Sequence, residues 1–125
     1  MIAADTSTWI SFFEGEQGDD VLALARALES RQVVVPPPVL TELLSDPELS
    51  ASVAQTLMEL PLVAMKDGFW HRAGKLRAKV LARKRKARLG DALIAQCCID
   101  ADIALITRDG DFKAFSAVLN LLEPA

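Results

Sequence analysis

Four carboxylates stand far apart in this chain, yet each falls where a strand ends or a helix begins: Asp5, Glu42, Asp91 and Asp109. Asp5 closes the apolar run Ile2-Ala3-Ala4, and Glu42 lies in a helix opened by Pro36-Pro37-Pro38. Asp91 opens Asp91-Ala92-Leu93-Ile94-Ala95, and Asp109 follows Ala104-Leu105-Ile106-Thr107. Acids brought to one place repel one another, and a hard divalent cation with oxygen ligands is the usual relief. Each also has an ordinary structural use. Asp before a helix caps it, Asp109-Gly110 signals a turn, and Glu42 on the flank of Val39, Leu40 and Leu43 is a solvated helical residue. The joint pattern, rather than any one acid, points to chemistry.

The elements that must position these acids alternate. Residues 2–5 form a first strand, and a short helix capped by Ser7 runs to Phe13. After a loop at Gly15–Gly18, residues 19–30 form a helix with Val21, Leu22, Ala25 and Leu28 on one face. Val33-Val34-Val35 is a β-branched strand ended by the prolines, whose last member suits a first helical turn. Helices follow at 38–45 and 48–59, separated by Asp46-Pro47, then a strand at 61–65. Asp67 caps a long helix reaching about residue 84. Residues 91–101 are helical and 103–107 form the fourth strand. A short helix near 110–115 precedes a fifth strand at 118–122. Strands joined through helices predict a three-layer α/β/α sandwich whose central sheet is mainly parallel, with about five strands. In such folds the site lies beyond the carboxyl ends of the strands, where Asp5 and Asp109 fall.

Length and composition bound the reading. The 125 residues form a single domain, 1–125, large enough to bury roughly two-thirds of its unfolded surface. Half of the chain is hydrophobic, which excludes a disordered tail and suits a sheet covered on both faces. No apolar run reaches the ~20 residues of a membrane span, and Asp5 interrupts the start too early for a signal peptide, so a cytoplasmic protein without membrane contact is expected. Cys97 and Cys98 are neighbours on a helix and point apart, which predicts buried thiols rather than a disulfide or metal site.

Net charge is −3, but the charge is unevenly spread. Nine of the 14 Lys and Arg residues fall between Arg72 and Arg88, and no acid occurs from Gly68 to Gly90. On the long helix, Phe69, Ala73, Leu76 and Val80 make the apolar stripe, and Arg72, Lys75, Lys79 and Arg83 make a separate basic one. Lys84, Arg85, Lys86 and Arg88 then lead into Asp91. A solvated face ordinarily mixes signs. This one does not, which points to a polyanion-facing surface beside an acidic site that would otherwise repel phosphates, although an acidic stretch of a partner protein could use the same charges. His71, the sole histidine, is read as a surface or packing residue.

Four segments carry a resemblance to a known family. Asp5-Thr6-Ser7-Thr8-Trp9-Ile10, Val39-Leu40-Thr41-Glu42-Leu43, Leu89-Gly90-Asp91-Ala92-Leu93-Ile94-Ala95 and Leu105-Ile106-Thr107-Arg108-Asp109-Gly110-Asp111-Phe112 occur in the order of the motifs of PIN-domain ribonucleases. The chain most resembles the VapC-like toxins of type II toxin–antitoxin pairs, over nearly its whole length. The resemblance implies a metal-dependent endoribonuclease whose catalytic, metal-binding carboxylates are Asp5, Glu42, Asp91 and Asp109. Asp111 is a second candidate for the last position. Thr6, Ser7 and Thr107 become hydroxyls that orient a carboxylate or water. The implied cofactor is Mg²⁺ or Mn²⁺, which acidifies a water and offsets charge on the scissile phosphate. In-line hydrolysis then leaves 5′-phosphate and 3′-hydroxyl ends. The implied partners are an RNA substrate, a cognate antitoxin covering the site, and a second copy in a homodimer. The alternatives are a housekeeping RNA-processing nuclease and a non-catalytic RNA- or protein-binding module. The four filled acidic positions count against the non-catalytic module. A haloacid-dehalogenase-like phosphatase is disfavoured because Ser7 stands where that chemistry wants a second Asp.

Overall fold

The computed structural model of the protein describes residues 1–122. Two three-residue strands form its centre, β1 (Ile2–Ala4) and β2 (Ala104–Ile106), paired in parallel with Ala4 opposite Ile106. Three further segments extend the pairing by single parallel bridges. Val33 bridges Ile2, Leu62 bridges Val35, and Leu121 bridges Leu105. The order across the sheet is therefore 62, 33–35, β1, β2, 121, all parallel. The expected fold is present, but three of the five expected strands (33–35, 61–65 and 118–122) are reduced to isolated bridges. The outer contacts consist of two hydrogen bonds each, such as Val35 N–H to Pro61 O and Leu105 N–H to Asn120 O, too few to continue a ladder.

The layers follow from burial. Ala3, Ala4, Leu105 and Ile106 are all buried, so consecutive strand residues are covered on both faces of the sheet. Val33 and Val35 join the main core with Trp9, Leu24, Val39, Phe112 and Phe115. Val34 faces a smaller cluster of Val63, Phe69, Ala73 and Cys97. That alternation is the strand period of two.

The helices are α1 (Thr6–Phe13), α2 (Asp19–Glu29), α3 (Pro37–Leu44), α4 (Ala51–Met58), α5 (Phe69–Ala82) and α6 (Leu89–Ala101), with a 3₁₀ turn at Gly110–Phe115. Several boundaries differ from the sequence expectation, each for a local reason. α1 is capped by Asp5 rather than Ser7, because the Asp5 carboxylate accepts the Thr8 N–H at 3.0 Å. α4 is capped by Ser50, whose hydroxyl accepts the Val53 N–H. α5 starts from Gly68 at φ 80, not from Asp67. The left-handed φ favours glycine at this position, since a side chain there would be strained. α6 begins two residues before Asp91, which places Asp91 in its first turn instead of at its cap. In α2 the buried row is Leu24 with Ala27 and Leu28, while Leu22 is exposed; the helix is rotated relative to the expected face.

Cys97 and Cys98 are free and buried on α6, and burial pushes each thiol up to about 12. Of the stripe expected on α5, Phe69, Ala73 and Val80 are buried and Leu76 packs at the edge of the core. No helix among the described residues is long and apolar enough to cross a membrane.

Candidate active site

The parallel register of β1 and β2 sets the first half of the site. Because Ala4 pairs with Ile106, the next residues, Asp5 and Thr107, leave the sheet side by side. The Thr107 hydroxyl donates to Asp5 Oδ2 at 2.8 Å, and the Ser7 hydroxyl donates to the same carboxylate at 2.8–2.9 Å. Asp5 is buried (3 % exposed) and burial raises its pKa, with the Thr107, Thr8 and Ser7 hydrogen bonds opposing. Thr107 Oγ1 also accepts the Asp109 N–H at 2.9 Å, so one hydroxyl ties the first acid to the fourth.

The other acids arrive on helices. The Asp109 carboxylate accepts the Asp111 N–H at 2.9 Å, which caps the 3₁₀ turn and fixes the carboxylate's direction. Carboxylate oxygens of Asp91, Asp109 and Asp111 lie within 4.8 Å of one another. Asp91 Oδ2 is buried and has no hydrogen-bond partner among the described residues. Burial first, then the negative charge of Asp109 and, more weakly, of Glu42 and Asp111, raise the Asp91 pKa to about 6; Arg88 acts in the opposite direction. Glu42 accepts the Thr6 hydroxyl at 2.9 Å and lies against the start of α6, where a Cβ built on Gly90 would sit 3.7 Å from its oxygens.

The arrangement therefore gathers Asp91, Asp109 and Asp111 closely, anchors Asp5 to Asp109 through Thr107, and holds Glu42 beside the helix that bears Asp91. An orphaned, buried carboxylate oxygen among other carboxylates is an unfavourable place for bare charge. It fits a hard divalent cation, which takes oxygen ligands and retains some water. Thr6, Ser7 and Thr107 each donate to one of these acids.

The basic residues separate into groups. Arg72 is bound to Asp100 on α6 and to the Asp67 carbonyl, which ties α5 to α6. Lys86 and Arg88 approach Asp111 at 3.3 and 4.0 Å. Lys75, Lys79, Arg83, Lys84 and Arg85 make no ion pair among the described residues. His71 is exposed on α5.

Sequence reasoning missed a second network. Arg108, between Thr107 and Asp109, reaches Asp20 at 2.8 and 3.0 Å, Glu16 at 2.9 Å and the Gln17 carbonyl at 3.2 Å. The fully buried Thr8 donates to Asp20 as well. The Arg108 and Thr8 hydrogen bonds outweigh burial and lower the Asp20 pKa. Gly18, at φ 153, lies so close to this pair that a Cβ would sit 2.6 Å from Asp20 and 2.9 Å from Arg108. The only sequence signal was Arg108's place inside the fourth motif. An open apolar pocket of about 360 Å³ adjoins the Glu42 side, lined by Pro37, Met65, Trp70, Leu89 and Leu93 among others.

With this geometry, comparison with known proteins gives a consistent answer. Residues 2–118 match the PIN domain family. The structure is similar to that of FitAcB from Neisseria gonorrhoeae, with TM-score 0.71 and 17% identity over 99% of this chain and 98% of that one. It is similar to FitAB bound to an IR36 DNA fragment, with TM-score 0.72 and 18% identity over 99% and 95%. It also resembles VapBC2 from Rickettsia felis bound to a DNA fragment from their promoter, with TM-score 0.73 and 18% identity over 98% of both chains. No curated protein matches the sequence.

Proposed function

This chain belongs to the PIN-domain family, and on that premise we propose that it is a metal-dependent endoribonuclease acting as the toxin of a toxin–antitoxin pair. The observation that carries the reading is the convergence of Asp91, Asp109 and Asp111 around a buried oxygen that has no partner among the described residues, with Asp5 and Glu42 held at the same edge. Asp5, Glu42, Asp91 and Asp109 are proposed to hold Mg²⁺ or Mn²⁺, with Asp111 within reach. When bound, such a cation acidifies water and stabilises charge on the phosphate and the leaving oxygen. The protein's own contribution is orientation. Ser7 and Thr107 hold the Asp5 carboxylate, Thr6 holds that of Glu42, and the backbone of Asp111 holds that of Asp109.

RNA is the proposed substrate because the acid-free run from Gly68 to Gly90 ends at this acidic site and leaves Lys75, Lys79, Arg83, Lys84 and Arg85 without ion pairs among the described residues. An antitoxin partner is supported by the structural likeness to FitAB and VapBC2. A homodimer is supported by the exposed Met65, Trp70 and Leu89 around the apolar pocket, since a contiguous apolar surface marks protein contact. A cytoplasmic location accords with a nuclease of this kind.

The test is incubation of purified protein with total RNA in Mg²⁺ or Mn²⁺, against EDTA and the Asp5→Asn variant. Cleavage that needs metal and is lost in the variant is expected. RNA binding without cleavage under every metal condition would make the domain a binding module.

A further inference from the structure

We propose that Asp111 anchors a cationic grip made by Lys86 and Arg88, instead of ligating the metal, and that this grip meets the phosphate at which RNA is cut. The proposal rests on the nuclease reading above and assigns separate roles within it.

Three observations lead there. Asp111 is the member of the acidic cluster that forms ion pairs among the described residues, with Lys86 Nζ at 3.3 Å and Arg88 Nη2 at 4.0 Å, both to Oδ2. Its side chain is also peripheral, 34 % exposed. What Asp111 does for Asp109 passes through its backbone N–H, which any residue but proline would supply at position 111. The carboxylate is thus free for a different task.

The segment bearing the two cations is built to aim them. The chain leaves α5 through Lys84 at φ 63, and Ala87 is then buried at 5 % exposure. The Arg77 Nε–H donates to the Ala87 carbonyl at 2.8 Å, pinning this residue to α5. Lys86 and Arg88 flank the pinned alanine, and Arg88 is extended at φ −65, ψ 148. Both cations reach the same carboxylate oxygen, Lys86 at 3.3 Å and Arg88 at 4.0 Å.

Charge supplies the reason. Four ligating carboxylates outweigh the charge of a divalent cation, and a phosphodiester adds to the negative charge. Cations held at the rim offset it where the substrate arrives. An exposed ion pair contributes little to stability, so the use of this pairing lies in placement of the two side chains.

The experiment separates metal binding from substrate handling. Mn²⁺ binding to the free protein is measured by calorimetry for the wild type, Asp91→Asn, Asp109→Asn and Asp111→Asn. Cleavage of RNA that the wild type cuts is measured for Asp111→Asn, Asp111→Glu, the Lys86→Ala/Arg88→Ala double variant and the combination. Asp111→Asn is expected to keep Mn²⁺ affinity within about threefold, while Asp91→Asn and Asp109→Asn lose about tenfold or more. Its kcat/KM is expected to fall about tenfold, to be partly restored by glutamate, and to fall no further when Lys86 and Arg88 are already alanine. Loss of Mn²⁺ affinity equal to that of Asp109→Asn would make Asp111 a ligand and overturn the proposal. So would a full additional loss of activity on the alanine background. A wild type that binds Mn²⁺ but cuts no RNA would remove the nuclease reading and the phosphate grip with it, while the Mn²⁺ comparison alone still decides whether Asp111 is a ligand.

Discussion

Replacement of Asp91 by asparagine should stabilise the metal-free protein, and the effect should depend on pH. The Asp91 pKa is raised to about 6, first by burial and then by the neighbouring acids. A raised carboxylate pKa means that the folded state holds its proton more tightly than the unfolded state. Below about pH 3 both states are protonated and no penalty exists. As pH rises towards about 6 the unfolded chain ionises first, so the penalty grows, and above that it is constant. The full shift corresponds to roughly 3 kcal/mol. Asp91 is only partly buried, so solvent screening leaves about 1–2 kcal/mol. Asparagine keeps the volume, removes the charge and offers an N–H₂ to the surrounding carboxylates. The lost interaction of the charge with the first turn of α6, about 0.3–1 kcal/mol, acts in the opposite direction but is smaller. The expected outcome in EDTA is a melting temperature about 5 °C above wild type at pH 7.5, converging with wild type near pH 3. Added Mn²⁺ should reverse the order, because ligand binding stabilises the wild type selectively. Thermal melts of both proteins from pH 3 to 8, with EDTA and with Mn²⁺, check this. A variant no more stable than wild type at pH 7.5, or a difference that ignores pH, would refute the account of Asp91 as a strained carboxylate awaiting a cation.

Three further outcomes are expected. Thr107→Val removes the donor to Asp5 and the acceptor for the Asp109 N–H; it should cost about 1–3 kcal/mol in urea unfolding, and cleavage should fall more than tenfold even where the variant is fully folded. Arg108→Ala breaks the links to Asp20, Glu16 and Gln17 and should lower the melting temperature. Since Asp20 has a lowered pKa, that difference is present above about pH 4 and should shrink as the pH falls further, which melts of the two proteins between pH 3 and 7 will read. Charge reversal by Arg85→Glu with Lys86→Glu should weaken RNA binding strongly in dilute buffer and much less in high salt, as judged by the slope of log affinity against log salt; an unaltered slope would place RNA elsewhere.

The sequence made the alternation of elements readable because periodicity in strands and helices is a local property. Val33-Val34-Val35 and the apolar stripe of α5 show this directly. What it concealed was relational. Asp5 read as a cap and Asp109 as a turn residue, and each caps the element that follows it. Their connection through Thr107 depends on a register between strands a hundred residues apart, which no local window contains. Arg72 has the spacing of a basic stripe, yet its guanidinium is drawn to Asp100 on the adjoining helix. The Arg108 network was illegible for the same reason, since Asp20 and Glu16 lie about ninety residues away. The rotation of α2 was ambiguous because Leu22 and Leu24 are both apolar and only packing chooses between them.

The three-residue pairing of β1 with β2 acts as a gauge for the whole constellation. Lengthening the chain between α3 and α5 would move neither Asp5 nor Asp109, because both hang from adjacent strands whose ends are level. A single residue inserted between Ala104 and Thr107 would do more harm than ten in a surface connection. It would turn Thr107 to the opposite side of the sheet and separate the two acids, leaving every carboxylate in the sequence and no common point among them. Tolerance to insertion should therefore map where this site is measured out, independently of where its charges lie.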